Sequence, residues 1–139
     1  MRKKIHVAAL FLAALTLFAG PAFAWRQDLR YDVIDHPVPA AAQTMSLDDL
    51  SRNIVIAGAK RSWRFEPMGP GQLKATQTKG NHEAVLKISY SAKAYSITLI
   101  GTKNLDQEGD KIHPTYNHWV GNLETDIQNQ LSIAGLEKK

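Results

Sequence analysis

The stretch that decides the fold is LKATQTKGNHEAVLKISYSAKAYSITL, residues 73–99. Gly80-Asn81 is a two-residue hairpin turn with glycine first, and it places Lys79 opposite His82. A second turn, around Ala92-Lys93, fixes the next pair of strands. The pairs that follow are Leu73 with Ile88, Ala75 with Leu86, Leu86 with Leu99, Ile88 with Ile97, and Tyr90 with Tyr95. Because a slip of one residue would scatter these apolar side chains over both faces, we predict antiparallel strands with one apolar face.

A fourth strand is predicted just upstream, before Met68-Gly69-Pro70-Gly71. A five-residue loop there pairs Phe65 with Ala75 and Trp63 with Gln77, which keeps the aromatic rings on the apolar face. The opposite face then carries polar side chains, namely Arg64, Glu66, Lys74, Thr76, Lys87, Ser89, Ser96 and Thr98. This alternation is typical of an antiparallel sheet with water on one side.

Lys74 and Lys87 are predicted to lie directly opposite one another on the polar face. Like charges in that position repel. Two interpretations are open: Glu66 pairs with Lys74 while Lys87 extends into water, or the two lysines form a small anion-binding patch.

One helix is predicted before this four-strand meander in the sequence, and another after it. Ser46 can cap the first helix, which ends near Lys60-Arg61, and Pro114 can begin the second, which ends at Gly135. Their apolar positions recur at helical spacing: Leu47, Leu50, Ile54 and Ala57 in the first, and Tyr116, Val120, Leu123, Ile127 and Leu131 in the second. We predict an α+β domain over residues 46–135, with both helices on one face of the sheet in two layers, and a tail at residues 136–139.

Residues 25–45 form an N-terminal arm and linker in this interpretation. Leu29, Tyr31 and Val33 alternate with polar residues, and Pro37 and Pro39 follow. The alternation suits either a strand added to the sheet or a mobile tail.

Residues 1–24 have the pattern of a secretory signal peptide. A basic head at residues 2–4 precedes an apolar run, and small residues end the segment, with cleavage expected after Ala24. The apolar run is shorter than the roughly 20 residues that span a bilayer. We expect export to a bacterial periplasm, and full secretion from the cell is the alternative destination.

Charge and cysteine content exclude several classes of function. Three of the 17 basic residues lie in the signal and none of the 13 acidic ones does, so the remaining chain carries 14 against 13, a net charge of +1. That balance argues against a nucleic-acid partner. The chain has no cysteine, which excludes a thiol nucleophile and a lipid attached through cysteine. We expect no stable membrane anchor once the signal is removed.

The residues that could carry chemistry do not form a recognisable motif. The histidines at positions 36, 82, 113 and 118 lack the spacing of a helical zinc site, and residues 104–109 resemble a calcium loop whose twelfth position, Thr115, lacks the required glutamate. We expect no metal site, no cofactor and no catalytic residue. A hydrolase using Asp106, Glu108 and Asp110 with a histidine is the least favoured function.

Two binding functions remain. The first is a non-catalytic module that binds another envelope protein or peptide, through exposed sheet edges or the arm. The second is a carrier or sensor of a small ligand, with a pocket between helices and sheet near Trp63, Tyr116 and Trp119. The candidate binding residues are Trp63, His113, Tyr116, Asn117 and Trp119.

Several short motifs resemble those of a family of small bacterial envelope proteins that carry no assigned activity. They are Arg61-Ser62-Trp63, Ile88-Ser89-Tyr90, Tyr95-Ser96-Ile97, Asn104-Leu105 and, above all, IHPTYNHWV at residues 112–120. The resemblance covers about residues 46–131 and implies a periplasmic compartment. Many members look like lipoproteins, whereas this chain lacks the cysteine that a lipid would need.

Overall fold

The computed structural model describes residues 26–138, so the predicted signal peptide and its cleavage site lie outside the described residues. The chain forms an α+β fold. Its elements are β1 (Asp28–Leu29), β2 (Val33–Pro37), a 3-10 turn (Ala40–Ala42), α1 (Leu47–Ala59), β3 (Arg64–Gly69), β4 (Gln72–Lys79), β5 (His82–Tyr90), β6 (Ala94–Lys103), β7 (Lys111–Ile112) and α2 (Pro114–Glu137).

The main sheet has five antiparallel strands in the order β2-β6-β5-β4-β3. The predicted four-strand meander is present as β3 to β6, but four strands are too few, because the arm contributes β2 beside β6. Of the two interpretations of the arm, the added strand is therefore the one observed. A second, two-stranded sheet pairs β1 with β7, which the sequence did not indicate.

The strand registers agree with the sequence prediction through the central meander. Leu73 pairs with Ile88, and Tyr90 pairs with Tyr95. A register shift follows further along, since Leu86 pairs with Leu99 while Val85 pairs with Gly101. Ile100 is the additional residue of this bulge, and its side chain is exposed.

The first hairpin is tighter than predicted. Phe65 pairs with Ala75 as expected, but β3 begins only after Trp63, and Gly69 pairs with Gln72 after a shift in register. Gly71 has φ +70°, and a Cβ on it would lie 2.9 Å from the carbonyl oxygen of Tyr90. Glycine thus permits both the backbone conformation and the close approach of the two strands.

The polar face contains the predicted pair of opposed lysines. Lys74 and Lys87 are register partners, and Lys74 Nζ lies 2.5 Å from Glu66 Oε2. The hydrogen bond and charge of Lys74 lower the pKa of the Glu66 carboxyl. The Glu66–Lys74 pair of the first interpretation is therefore present.

The core is one apolar cluster. Side chains from one face of the sheet share it with α1, α2 and the arm, and the buried members include Val33, Leu50, Ile54, Trp63, Leu73, Leu86, Ile88, Ile97, Tyr116, Leu123 and Leu131. The two helices also contact one another directly. Arg61 Nε lies 2.7 Å from Asp126 Oδ2, and Gln130 Nε2 donates to Asn53 Oδ1 at 2.9 Å.

Both helices begin where the sequence predicts. The Ser46 hydroxyl accepts a hydrogen bond from Asp49 N, and Pro114 is the first residue of α2. The second helix does not stop at Gly135 but continues to Glu137. Gly135 is buried, and a Cβ there would lie 2.5 Å from the carbonyl carbon of Ala41, so this glycine allows the 3-10 turn to pack against the helix.

Among the helices of residues 26–138, none has an apolar stretch long enough to cross a bilayer.

The arm is held against α2 by side-chain hydrogen bonds. Glu124 contacts two arm residues: Tyr31 donates its hydroxyl to Oε2 at 2.6 Å, and His36 Nδ1 lies 2.5 Å from Oε1. Gln128 donates to the carbonyl oxygen of Pro37 at 2.9 Å. These contacts hold the arm just before β2 and at the end of β2. They explain why β2 is held in place as an edge strand.

Candidate binding groove

Two of the five predicted binding residues are core residues. Trp63 is 4% exposed and Tyr116 is fully buried. Among the described residues, the hydroxyl of Tyr116 has no hydrogen-bond partner, and burial raises the pKa of this phenol well above its ordinary value. Trp119 is partly buried and packs against the same cluster. These rings therefore stabilise the fold, and the pocket proposed between helices and sheet would have to displace them.

His113 caps the N-terminus of α2. Its Nδ1 accepts a hydrogen bond from Thr115 N at 3.1 Å, and its ring stacks on His82 with centroids 6.1 Å apart. His82 Nδ1 in turn lies 2.6 Å from the carbonyl oxygen of Asn104. Both imidazoles thus already use one ring nitrogen within the protein.

Asn117 is bonded to the backbone of the arm. Its Oδ1 accepts from Tyr31 N at 2.8 Å, and its Nδ2 donates to the carbonyl oxygen of Leu29 at 2.8 Å. The side chain thus pairs with the arm as a neighbouring strand would. Its polar groups are engaged within the chain.

The loop acids and the histidines do not converge. Asp106, Glu108 and Asp110 are exposed. Within residues 26–138, no group of three or more histidine, aspartate or glutamate side chains lies close enough to hold a metal ion.

A groove opens at one end of the main sheet, where two adjoining cavities of about 370 and 350 Å³ meet. We call it the hairpin-end groove. Its shared centre is lined by Leu47, Pro70, Gly71, Gln72 and Tyr90. The first cavity adds Asp35, Ser89, Ser91, Ala94, Tyr95 and Ser96, and the second adds Asp48, Ser51, Pro67, Gly69 and Leu73.

The groove is built from the rigid ends of hairpins. Tyr90 N donates to the carbonyl oxygen of Gly71 at 2.9 Å, which joins the β3–β4 turn to the end of β5. Ser91 N donates to the carbonyl oxygen of Ala94 at 2.9 Å, and the Ser91 hydroxyl accepts from the backbone of Lys93 and Ala94. Two turns closed in this way give the groove a preformed wall.

Asp35 stands at the rim of the first cavity in a conformation that is uncommon for residues other than glycine. Its φ is +48°, and it lies at the register shift between Val33 and His36. Its backbone N–H donates to the Ser96 hydroxyl at 2.9 Å. Non-glycine residues with positive φ persist where the surroundings hold them, and they are frequent at ligand-binding sites.

The lining of the groove suits binding. Its charged side chains are Asp35 and Asp48. The Gln72 amide and the hydroxyls of Ser51 and Ser89 can exchange hydrogen bonds with a ligand. The hydroxyls of Ser91 and Ser96 are already bonded within the chain. Among residues 26–138, the lining includes no histidine, lysine or arginine.

None of the five predicted binding residues lines this groove. The groove residues come from four separate segments of the chain. The sequence indicated the contact between two of these segments. The predicted register places Tyr90 next to the Gly69-Pro70-Gly71 turn, so the contact between Tyr90 and this turn could have been inferred from the sequence. The contribution of Asp35 depends on the arm, whose position the sequence left open.

No family model, curated protein or solved structure matches this chain.

Proposed function

We propose that this protein is a non-catalytic binding module exported to the bacterial periplasm, and that the hairpin-end groove receives another envelope protein or a peptide. The observation that carries the proposal is the groove itself: two cavities of about 370 and 350 Å³ that share Tyr90 and its neighbours. Binding sites are typically concave, largely preformed and mostly apolar, with a few placed polar groups.

The groove has the mixed chemistry that peptide recognition uses. Its centre presents Leu47, which is 43% exposed, together with Pro70 and the ring of Tyr90. Hydroxyl groups flank this apolar centre on the side of the first cavity. An extended chain could place an apolar side chain on the centre and its backbone groups against the hydroxyls.

The arm supports this proposal in a way that differs from the sequence expectation. The arm strand pairs with its own sheet through β2 and β6, so it already has a partner within the chain. Instead, its residue Asp35 completes the wall of the groove. The proposal takes α1 and α2 as one layer behind the sheet, with the N-terminus of α1 at the groove.

The periplasmic location rests on the signal-like segment at residues 1–24 and on the resemblance to small envelope proteins. The near-neutral charge of the remaining chain supports a partner other than nucleic acid.

A carrier of a small ligand is the second candidate. Each cavity lies in the volume range of small-molecule sites. The predicted pocket at Trp63, Tyr116 and Trp119 is filled by packed side chains, so this candidate would use the hairpin-end groove as well.

Site-directed photocrosslinking in intact cells tests the proposal. A benzophenone amino acid placed at Leu47 or Gln72 should give a discrete adduct, and the same amino acid at the exposed Ile133 of α2 serves as the control. The adduct should disappear when Tyr90→Ala is added, because that change removes the centre of the groove. Equal labelling from Ile133, or no adduct of a protein or peptide at either groove position, would contradict the proposal.

A further inference from the structure

We infer that the hairpin-end groove selects an extended peptide with basic side chains on both sides of an apolar residue, a deepening that rests on the function proposed above. Asp35 would contact one basic side chain and Asp48 the other. The apolar residue would occupy the centre at Leu47 and Tyr90.

The first step is the charge of the lining. Asp35 belongs to the first cavity and Asp48 to the second, and both side chains are exposed. In the part of the chain that the structure describes, no lysine, arginine or histidine lines either cavity. The groove therefore carries two negative charges on a chain whose predicted mature form is nearly neutral, and a cationic ligand is the complementary one.

The second step is that both carboxylates are available. Within residues 26–138, neither Asp35 nor Asp48 forms an ion pair, although the neighbouring Asp32 and Asp49 do. Asp49 is bonded to Arg52 and Lys138, which leaves the adjacent Asp48 as the acid that faces the groove.

The third step is that Asp35 is held in place from both sides. Its own backbone is bonded to Ser96, whose hydroxyl also lies 3.4 Å from Asp35 Oδ1. The next residue, His36, contacts Glu124 and stacks on Tyr95. A carboxylate that is ordered before binding loses less conformational entropy when a ligand arrives.

The fourth step is the shape. The two cavities share five residues and place their acids in different lobes, with an apolar centre between them. A peptide with an apolar side chain between two basic ones matches this order. A small polyamine would offer the charges, but between them only a thin methylene chain with no side chain to fill the apolar centre.

Selection from a displayed library of random heptapeptides tests the inference, with the full exported chain as bait. The recovered peptides should be enriched in lysine or arginine at two positions that flank an apolar residue. Asp35→Asn and Asp48→Asn should each weaken a selected peptide about two- to fivefold, as expected for an exposed ion pair, and acetylating its lysines about tenfold. Asparagine tolerates the backbone conformation of Asp35, so the first variant keeps its fold.

Four outcomes separate the possibilities. Glu108→Gln, which removes an exposed carboxylate outside the groove, should leave the affinity unchanged; an equal loss there would overturn the inference. If the selected peptides bind in a Tyr90-dependent way but show no basic preference, the inference fails while the proposed function stands. If no peptide depends on Tyr90, the proposed function fails too. If spermidine competes as well as the peptides bind, the site recognises small cations and the inference is overturned.

Discussion

The imidazole of His36 stacks on the phenol ring of Tyr95, with the ring centroids 5.2 Å apart and the planes inclined by 8°. His36 belongs to the arm strand β2, and Tyr95 lines the first cavity of the hairpin-end groove. The same histidine contacts Glu124 on α2. The stack therefore joins the arm, the last helix and the groove, and the groove depends on a part of the chain that lies far from it in sequence.

Removing the Glu124 carboxylate should loosen the arm. Glu124→Ala deletes the contacts to Tyr31 and His36, and we expect a loss of about 1–3 kcal/mol in the free energy of unfolding. Hydrogen exchange at residues 33–37 should accelerate selectively. Asn129→Ala, an exposed change on the same helix, is the control. Unchanged exchange in β2 would show that strand pairing alone holds the arm.

Asn117 is expected to be a structural residue with no direct part in binding. Asn117→Ala removes two hydrogen bonds to the arm backbone and should cost about 1–2 kcal/mol, with faster exchange at residues 28–31. The exposed neighbour His118→Ala should change the stability by less than about 0.5 kcal/mol. Equal effects of the two variants would argue against a specific role for the amide.

Two glycine substitutions should change the free energy of unfolding in opposite directions. Gly71→Ala imposes a side chain at φ +70° and against the carbonyl of Tyr90, so we expect a loss of about 1–3 kcal/mol. Gly121→Ala lies within α2 in open space, where alanine should stabilise by about 0.5–1 kcal/mol. Urea unfolding of both variants measures the two changes. A neutral Gly71→Ala would mean that the turn can relax away from Tyr90.

The stability should fall as the solution becomes strongly alkaline. Burial raises the pKa of Tyr95 to about 12 and that of Tyr116 further still. Above the ordinary tyrosine value of about 10, the unfolded chain loses these protons while the folded chain keeps them. The Tyr95 phenol therefore lowers the free energy of unfolding by up to about 1.4 kcal/mol per pH unit between pH 10 and about pH 12. The Tyr116 phenol acts in the same direction above pH 10, and neither phenol has such an effect at lower pH.

The phenylalanine variants isolate this effect. Tyr95→Phe and Tyr116→Phe should each flatten the decline, measured by urea unfolding between pH 9 and 11. Tyr116→Phe should also be neutral or mildly stabilising at pH 7, because it removes a buried hydroxyl that has no partner. A decline of the same steepness in the double variant would assign the alkaline effect to other groups.

The central part of the fold could be predicted because its constraints are local. The Gly80-Asn81 turn and the alternation of apolar residues admit one register, and the pairs Leu73–Ile88 and Ile88–Ile97 follow. The two helices begin at a capping serine and at a proline, both readable from neighbouring residues. The bulge at Ile100 could not be predicted, since nothing local distinguishes an extra residue in a regular strand.

The sequence suggested aromatic and polar residues, mostly near the start of α2, as candidates for binding, and the structure uses several of these side chains in packing. Trp63 and Tyr116 are buried because they complete the core, while Asn117 is occupied by the arm. Residue type alone does not separate these roles. The separation depends on which side chains the packed helices and strands leave uncovered.

The sequence by itself determined the two helices and the register of the central strands as far as the bulge at Ile100, because hydrophobic periodicity and turn chemistry act over a few residues. Only the tertiary structure decided that the arm becomes a strand, since Glu124 and Gln128 reach it from the far end of the chain. The same holds for the groove, where Asp35, Leu47, Pro70 and Tyr90 meet. Contacts between such distant residues follow from how the helices and strands pack together, and no local pattern encodes them.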